Sequence, residues 1–402
     1  MTNLFDIITS SHRRVLLLQG PIGPFFHNLS DDLVKAGASV LKINFNGGDW
    51  LYYPSKSVNY RGSLDEWQSY LERFISKNQI DLILLFGDCR PIHIAARAVA
   101  EKLGVELGVF EEGYVRPDYI TLESFGVNAH SLLSKDPNHY LESIPVALPA
   151  ASPVGKPFFY AMVWAILYNI SAILLSPFFS GYHHHRKLSM SESIRWIRSF
   201  WRKLIFLMKE KGIASRLSGE LSKKYYLVPL QVGGDAQIQN HSSFKSIREF
   251  IEEVMLSFAQ NAPKDTFLVI KQHPMERGHS MYTPLIDDLS KELRVSRRVL
   301  YIHDQHLPTL LGHARGVIVV NSTVGFSAIN HKTPVKALGS AIYDMTGLTH
   351  QGELEDFWLN AKEPSPLLYE AFLREVIRKT QINGNFYRRL PVKSYKSGVV
   401  WQ

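Results

Sequence analysis

The chain has one cysteine, Cys89, in 402 residues. An internal disulfide and a multi-cysteine zinc or iron–sulfur site are therefore excluded, and the composition suits a reducing compartment. No Walker lysine and no dinucleotide glycine fingerprint accompany the Gly20–Gly23 turn, which argues against ATP and NAD. An Asp-x-Asp pair is missing, as are internal repeats and low-complexity tracts. Long apolar stretches are scarce near the start. After His12, Arg13 and Arg14 only Val15 to Leu18 are uniformly apolar before Gln19-Gly20-Pro21, too short for the core of a secretory leader, so a cytosolic face is expected.

What is present is ample core material: 45% of residues are hydrophobic and 20% charged. Disorder and collagen-like structure are excluded, and the length predicts two domains or one large domain with an insertion. Residues 1–150 alternate short apolar runs (Val15–Leu18, Val40–Phe45, Leu82–Phe86, Leu107–Phe110) with amphipathic stretches. That order predicts a parallel sheet with crossover helices. Residues 222–402 repeat it, with Tyr225–Leu230, Phe267–Ile270, Val299–Ile302, Val317–Val320 and Pro334–Leu338 as strands.

The segment between them, 151–221, differs. Phe158 to Phe179 is 22 residues without a formal charge, containing Trp164 and six Phe or Tyr. A basic stretch follows: Gly181 to Ser218 holds nine basic residues, Arg195, Arg198 and Arg202 among them, against two acidic ones, which is nearly all of the net charge of +8. Pro177 and the polar residues Asn169, Ser171 and Ser176 argue against a membrane span. The expectation is a helical insertion lying in the interface, Trp164 among headgroups and the arginines on anionic phospholipid. No nucleic-acid reader motif accompanies the charge, so nucleic acid is not an expected partner.

Chemistry-bearing residues cluster where α/β sheets place function, after the carboxyl ends of strands. Gly87-Asp88-Cys89-Arg90-Pro91-Ile92-His93 offers either a polar ligand site or an Asp–Arg pair capping a helix begun by Pro91. Glu111-Glu112-Gly113-Tyr114-Val115-Arg116-Pro117 sets adjacent carboxylates at a strand end, candidates for a general base or a nucleophile at a sugar carbon, with Glu123 and Asn128 downstream. Lys271-Gln272-His273-Pro274 presents an imidazole held by proline. Asn321-Ser322-Thr323-Val324-Gly325 opens a helix whose hydroxyls and free N–H groups suit a phosphate, or simply cap the helix.

In this order the motifs resemble the KpsS/LipB-type capsule polysaccharide biosynthesis family over most of the chain. Asn46-Gly47-Gly48-Asp49, Gly126-Val127-Asn128, Pro229-Leu230-Gln231 and Tyr343-Asp344 add to the likeness. The acidic, His-Pro and Ser-Thr motifs are also similar to those of bacterial sialyltransferases. The resemblance implies a GT-B-like α/β fold, two Rossmann-like domains facing across a cleft. It implies a glycosyltransferase moving β-Kdo from CMP-Kdo to a phosphatidylglycerol-type lipid at the cytoplasmic face of the bacterial inner membrane, peripherally bound and working with other capsule synthesis and export proteins. A non-catalytic assembly or export factor that binds lipid-linked polysaccharide is the alternative.

Under the resemblance His273, Ser322 and Thr323 hold the CMP phosphate, with Gly20, Lys271, Pro274 and Asn321 lining the substrate. Glu111, Glu112 or Asp88 acts at the anomeric carbon, and Arg90, His93, Arg116, Glu123 and Asn128 orient sugar or acceptor. Retention of configuration is expected, through a carboxylate, whereas the likeness to sialyltransferases implies instead that the first acid is the base of an inverting reaction. One phosphate leaves with the nucleotide, so no essential metal or other cofactor is expected.

Overall fold

A computed structural model of the chain describes residues 13–144, 147–179, 181, 190–232, 242–279, 281–391 and 395–401, with the side chains of 190–197 and 200 outside the description. Arg186, Lys187 and the Arg195 side chain therefore lie outside the described residues. The strands are β1 (Arg14–Leu17), β2 (Ser39–Asn44), β3 (Ser57–Asn59), β4 (Leu82–Phe86), β5 (Glu106–Glu112), β6 (Tyr119–Ser124), β7 (Tyr225–Pro229), β8 (Phe267–Lys271), β9 (Val299–Ile302), β10 (Gly316–Val319), β11 (Val335–Ala337) and β12 (Gln381–Asn383). They form a seven-stranded sheet, ordered β12-β6-β5-β4-β1-β2-β3, and a five-stranded sheet, ordered β11-β10-β7-β8-β9.

Two compact units contain these sheets. The first comprises Met1–Leu132, Val146–Ser189 and Arg374–Gln402, the second Leu133–Pro145 and Met190–Leu373. This differs from the sequence division at 150 and 221. The segment 151–221 is no unit of its own, and the last residues belong with the first unit because β12 pairs antiparallel with β6, Ile382 opposite Ile120.

In the first unit β3, β2, β1, β4 and β5 run parallel. Helices cover both faces, so the strands read as unbroken apolar runs rather than as alternation. Val15, Leu17, Leu82 and Leu84 bury themselves on one face with Phe25, Phe110 and Phe386. Leu16, Ile83 and Leu85 bury themselves on the other with Trp67 and Ala96. Local signals set the helix ends. Ser63 and Glu66 form a capping box at Leu64–Asn78, and Pro91 opens Pro91–Leu103, which stops at Gly104 with φ +66°. Strand β6 follows the acidic turn antiparallel to β5, and like β12 it carries no crossover signal that periodicity detects.

The second unit is parallel throughout. Tyr226, Val228, Leu268, Ile270 and Ile318 pack with Phe258 and Trp358 in its core, and the Trp358 indole donates to Ser257 Oγ at 2.9 Å. In each sheet the chain order reverses beside the first strand, between β1 and β4 and between β7 and β10. Such switch points leave an open crevice beyond the carboxyl ends.

The apolar insertion is a helix, Phe158–Leu174, followed by a 3-10 turn, Ser176–Phe179, at Pro177. Among the described residues no helix is long and apolar enough to cross a membrane. The helix lies on the short helix Gly47–Tyr52, and the two glycines permit it. A Cβ on Gly47 would sit 2.4 Å from the Ser171 carbonyl oxygen, and one on Gly48 would sit 2.5 Å from the Tyr168 ring. Trp164 is not the headgroup anchor expected of it. Its indole donates to the Tyr387 carbonyl at 3.2 Å and its ring packs on Gly23, while its own carbonyl accepts from Tyr52 at 2.7 Å. The side chains that point outward include Phe158, Phe159, Ile166, Ile170 and Leu174.

The basic helix, Met190–Lys209, belongs to the second unit. Arg198 donates to the carbonyls of Gly278 and His279, and Arg202 donates to that of Arg277 at 2.5 Å. This corrects the expectation that both arginines reach for phospholipid. The 3-10 helix Pro274–Gly278 ends with carbonyls that need donors, and these guanidiniums supply them.

Candidate functional site

At the first switch point, Gln19 follows β1 and Arg90 follows β4. Arg90 donates to Gln19 Oε1 at 2.8 Å while its guanidinium lies 5.3 Å from the Phe86 ring centroid. The Gln19 amide donates in turn to Asp49 Oδ2 at 3.2 Å. Asp49 also accepts the Phe45 N–H at 3.0 Å and the Tyr168 hydroxyl at 3.0 Å. The Gly-Pro loop and the Asn46–Asp49 turn are thus tied together, with Asn46 capping the Gly47–Tyr52 helix through the Asp49 N–H.

Beside it the two adjacent glutamates part company. Successive residues of a strand face opposite sides of the sheet. Glu112 Oε1 accepts from Tyr387 at 3.0 Å, on the side where Phe386 packs. Glu111 turns to the other side, next to Gly87 and within the fields of Arg90 and Asp88. Burial pushes the Glu111 carboxyl up to about 7; the Glu112 N–H at 3.0 Å and Arg90 oppose the rise, and Glu112 and Asp88 add to it. The sequence treats these carboxylates as one pair, whereas the fold exposes them to different surroundings.

Asp88, placed among the catalytic acids by sequence, is 1% exposed. Its Oδ2 accepts from the Val127 N–H at 3.2 Å and meets His130 Nδ1 at 2.8 Å, its Oδ1 accepts from Cys89, and Arg97 stands 3.9 Å away. A carboxylate so enclosed orients the His130 ring and fixes the 126–130 turn rather than meeting a substrate. The Cys89 thiol is pushed up by burial and by Asp88, which removes it as a nucleophile.

Other expected ligand groups are also structural. The Glu123 carboxyl, raised to about 7 by burial, accepts from Tyr114 at 2.6 Å and from Ser131. The Tyr114 hydroxyl in turn receives the Asn128 N–H at 2.6 Å. His93 is fully buried with Nδ1 2.6 Å from the Gly87 carbonyl, so it fastens the turn that carries Asp88. Arg116 is exposed and donates to the Gly113 carbonyl at 3.1 Å.

The second unit carries its own set at its switch point. Gln231 after β7 donates to Asn321 Oδ1, after β10, at 3.0 Å. Ser322 Oγ accepts the Val324 N–H at 3.2 Å and caps Thr323–Asn330, so Thr323 stands in the first turn. Gly325 allows the Tyr343 ring beneath this turn, where a Cβ would be 2.2 Å from the phenol oxygen. After β8, His273 Nδ1 accepts the Met275 N–H at 3.2 Å. In a neutral imidazole this leaves the proton on Nε2. Lys271 is buried, and burial lowers its ammonium against the opposing fields of Asp304 and Glu210. Pro274 begins the 3-10 turn after His273.

Residues that sequence reasoning did not single out hold both sets in place. Glu210 accepts the His303 N–H at 2.9 Å and lies 2.6 Å from His303 Nδ1, while Arg277 pairs with Asp304 at 2.7 Å. In the first unit Lys42 is 3% exposed at an inward position of β2. Its signal was a lysine on the same strand face as Val40. Among the described residues no group of three or more His, Cys, Asp or Glu side chains is arranged to hold a metal ion.

Two Rossmann-type units, each with polar side chains at its own switch point, define an α/β protein. The chain belongs to the capsule polysaccharide biosynthesis protein family, which its residues 81–387 match. The capsule polysaccharide export protein KpsS of Escherichia coli is 40% identical over 379 residues, covering 94% of this chain and 97% of that one. The capsule polysaccharide modification protein LipB of Neisseria meningitidis serogroup B is 38% identical over 397 residues, covering 96% and 94%. Among solved structures, Thermosulfurimonas dismutans KpsC, beta Kdo 2,7 transferase, is similar at a TM-score of 0.45 and 14% identity, with 95% and 94% of the two chains covered.

Proposed function

We propose that the chain is a GT-B-type glycosyltransferase of capsule assembly that moves Kdo from CMP-Kdo to a phosphatidylglycerol-type lipid, without an essential metal. The observation that carries the reading is the Glu111 carboxyl, lifted to about 7 at the end of β5 between Arg90 and Asp88. A carboxyl tuned to that range suits bond making and proton transfer at neutral pH.

Glu111 is the carboxylate assigned to the anomeric carbon. The bond from that carbon to the CMP phosphate breaks, CMP leaves with the electron pair, and a bond to the lipid hydroxyl oxygen replaces it. In the second unit, taken by itself, His273 and the first turn of Thr323–Asn330 are groups of the kind that suits a phosphate. Retention of the β configuration makes Glu111 the nucleophile of a double displacement, and inversion makes it the base that takes the hydroxyl proton. Product NMR reads which.

Attachment to the bilayer is assigned to the outer face of Phe158–Leu174, where Phe158 is 74% and Leu174 70% exposed. Exposed apolar side chains on a helix of that length suit the headgroup boundary of a membrane. The test is incubation of the purified full chain with CMP-Kdo and phosphatidylglycerol vesicles. CMP release matched by a Kdo–lipid product is expected. A folded protein that binds the vesicles and releases no CMP would refute catalysis and leave the assembly-factor reading.

A further inference from the structure

Behind the Gly-Pro loop the first unit holds a small, partly open pocket lined by Gly20, His27, Lys42, Asp49, Tyr53 and Tyr168 among others. Its size is that of one small chemical group at most, far below that of a whole nucleotide sugar. Lysine is an unusual choice for its floor. Lys42 stands in β2 between Leu41 and Ile43, and its ammonium makes one hydrogen bond, to the Ile43 carbonyl at 2.6 Å. An ammonium has three donors. The nearby Asp49 carboxylate offsets part of the cost of burying its charge but accepts no hydrogen bond from it, so two of the three donors still lack an acceptor.

The rest of the pocket shows what is left to give. The Asp49 carboxylate is already taken by the Phe45 N–H, the Gln19 amide and the Tyr168 hydroxyl. Tyr53 shares its hydroxyl with Ser30 at 2.6 Å, and Tyr52 donates to Trp164. By contrast His27 Nδ1 is buried without a hydrogen-bond partner among the described residues. His27 also lies in the first turn of Phe25–Lys35, where backbone N–H groups lack helical partners and the helix dipole favours negative charge. The Asp49 oxygens are thus engaged, whereas the Lys42 ammonium has donors to spare and His27 Nδ1 offers another when its proton sits there.

We propose that this pocket is an oxyanion site that takes the phosphate group of a ligand, with Lys42 and His27 as its donors. Two sources share that chemistry: the phosphodiester of a membrane phospholipid and a soluble phosphate. One wall belongs to the helix whose outer face is apolar, since Tyr168 reaches the pocket from Phe158–Leu174. Neither donor belongs to the residues assigned to sugar transfer, so the site stands or falls apart from the transferase reading.

The test compares the full-length protein with Lys42→Met, which keeps the length of the side chain and removes the charge. Inorganic phosphate is titrated at constant ionic strength against chloride, followed by thermal shift and calorimetry. Vesicles of phosphatidylglycerol and of an uncharged galactolipid form the second arm. Saturable phosphate binding weakened at least tenfold in Lys42→Met is the expected result. Loss of phosphatidylglycerol binding alongside it identifies the lipid as source, and unchanged vesicle binding identifies soluble phosphate. His27→Phe should weaken phosphate severalfold, and phosphate should move the Lys42 Cε resonance in the wild-type protein, a readout that survives a variant that fails to fold. Equal phosphate affinity in wild type and variants, or an unmoved Lys42 resonance at saturating phosphate, would overturn the proposal.

Discussion

Glu111 and Glu112 differ by one position and by everything around them. Glu111→Gln should abolish turnover, while Glu112→Gln, which trades one acceptor for another opposite Tyr387, should cost far less. CMP release under saturating CMP-Kdo checks both. In the wild type, turnover should rise with pH through about 7 as Glu111 ionises.

Stability runs the other way for the same groups. Glu111 and Glu123 each have folded values of about 7 against 4.5 for an ordinary glutamate. Between those limits the folded state holds protons that the unfolded chain releases, so these two groups make the protein less stable as pH rises from about 4.5 to about 7. Glu111→Gln should remove its share of that slope, leaving the variant at least as stable as wild type at pH 8 although inactive. Thermal melts at pH 5 and pH 8, wild type against variant, measure the difference. Asp88 belongs to the same neighbourhood but acts through His130 and the Val127 N–H, so Asp88→Asn should perturb the turn as well as the rate.

Among the elements, the two helices of the apolar and basic stretch behave unlike their composition. Net charge located the basic segment, yet Arg198 and Arg202 serve backbone carbonyls and only part of the charge faces water. Lys203 and Lys209 are exposed on the same helix. Reversing these two lysines to Glu should weaken binding to anionic vesicles with little change in stability, and the loss should shrink as salt rises. Reversing Arg198 and Arg202 should lower the melting temperature instead. Flotation assays beside melting curves separate the two outcomes. The Phe158–Leu174 helix depends on the bare backbone beneath it. Gly48→Val should clash with the Tyr168 ring and cost about 1–3 kcal/mol, measured by denaturant unfolding.

For the whole molecule, the parallel cores were plain in the sequence because both faces of β1, β4, β7 and β8 are covered and their apolar runs are continuous. Helix starts at Pro91 and Ser322 were equally local. The final segment was not legible. Gln381–Asn383 looks like the tail of a helix, and its pairing with β6 is set by residues some 260 positions away, as when the Gln381 carbonyl oxygen of the side chain receives the Tyr114 N–H at 3.0 Å. Deleting residues 381–402 should therefore unfold the first unit rather than trim the second, which limited proteolysis with mass mapping would locate.

The alternation of parallel strands and helices along the chain, the strand-end loops and the identity of their polar residues follow from local pattern, because propensity, capping and burial act over a few neighbours. Which carboxylate shares a side of the sheet with Arg90, which arginines spend their charge on carbonyls and where Lys42 is buried are decisions of tertiary packing. They depend on what distant segments bring within a few ångströms, and no short stretch of chain contains that information.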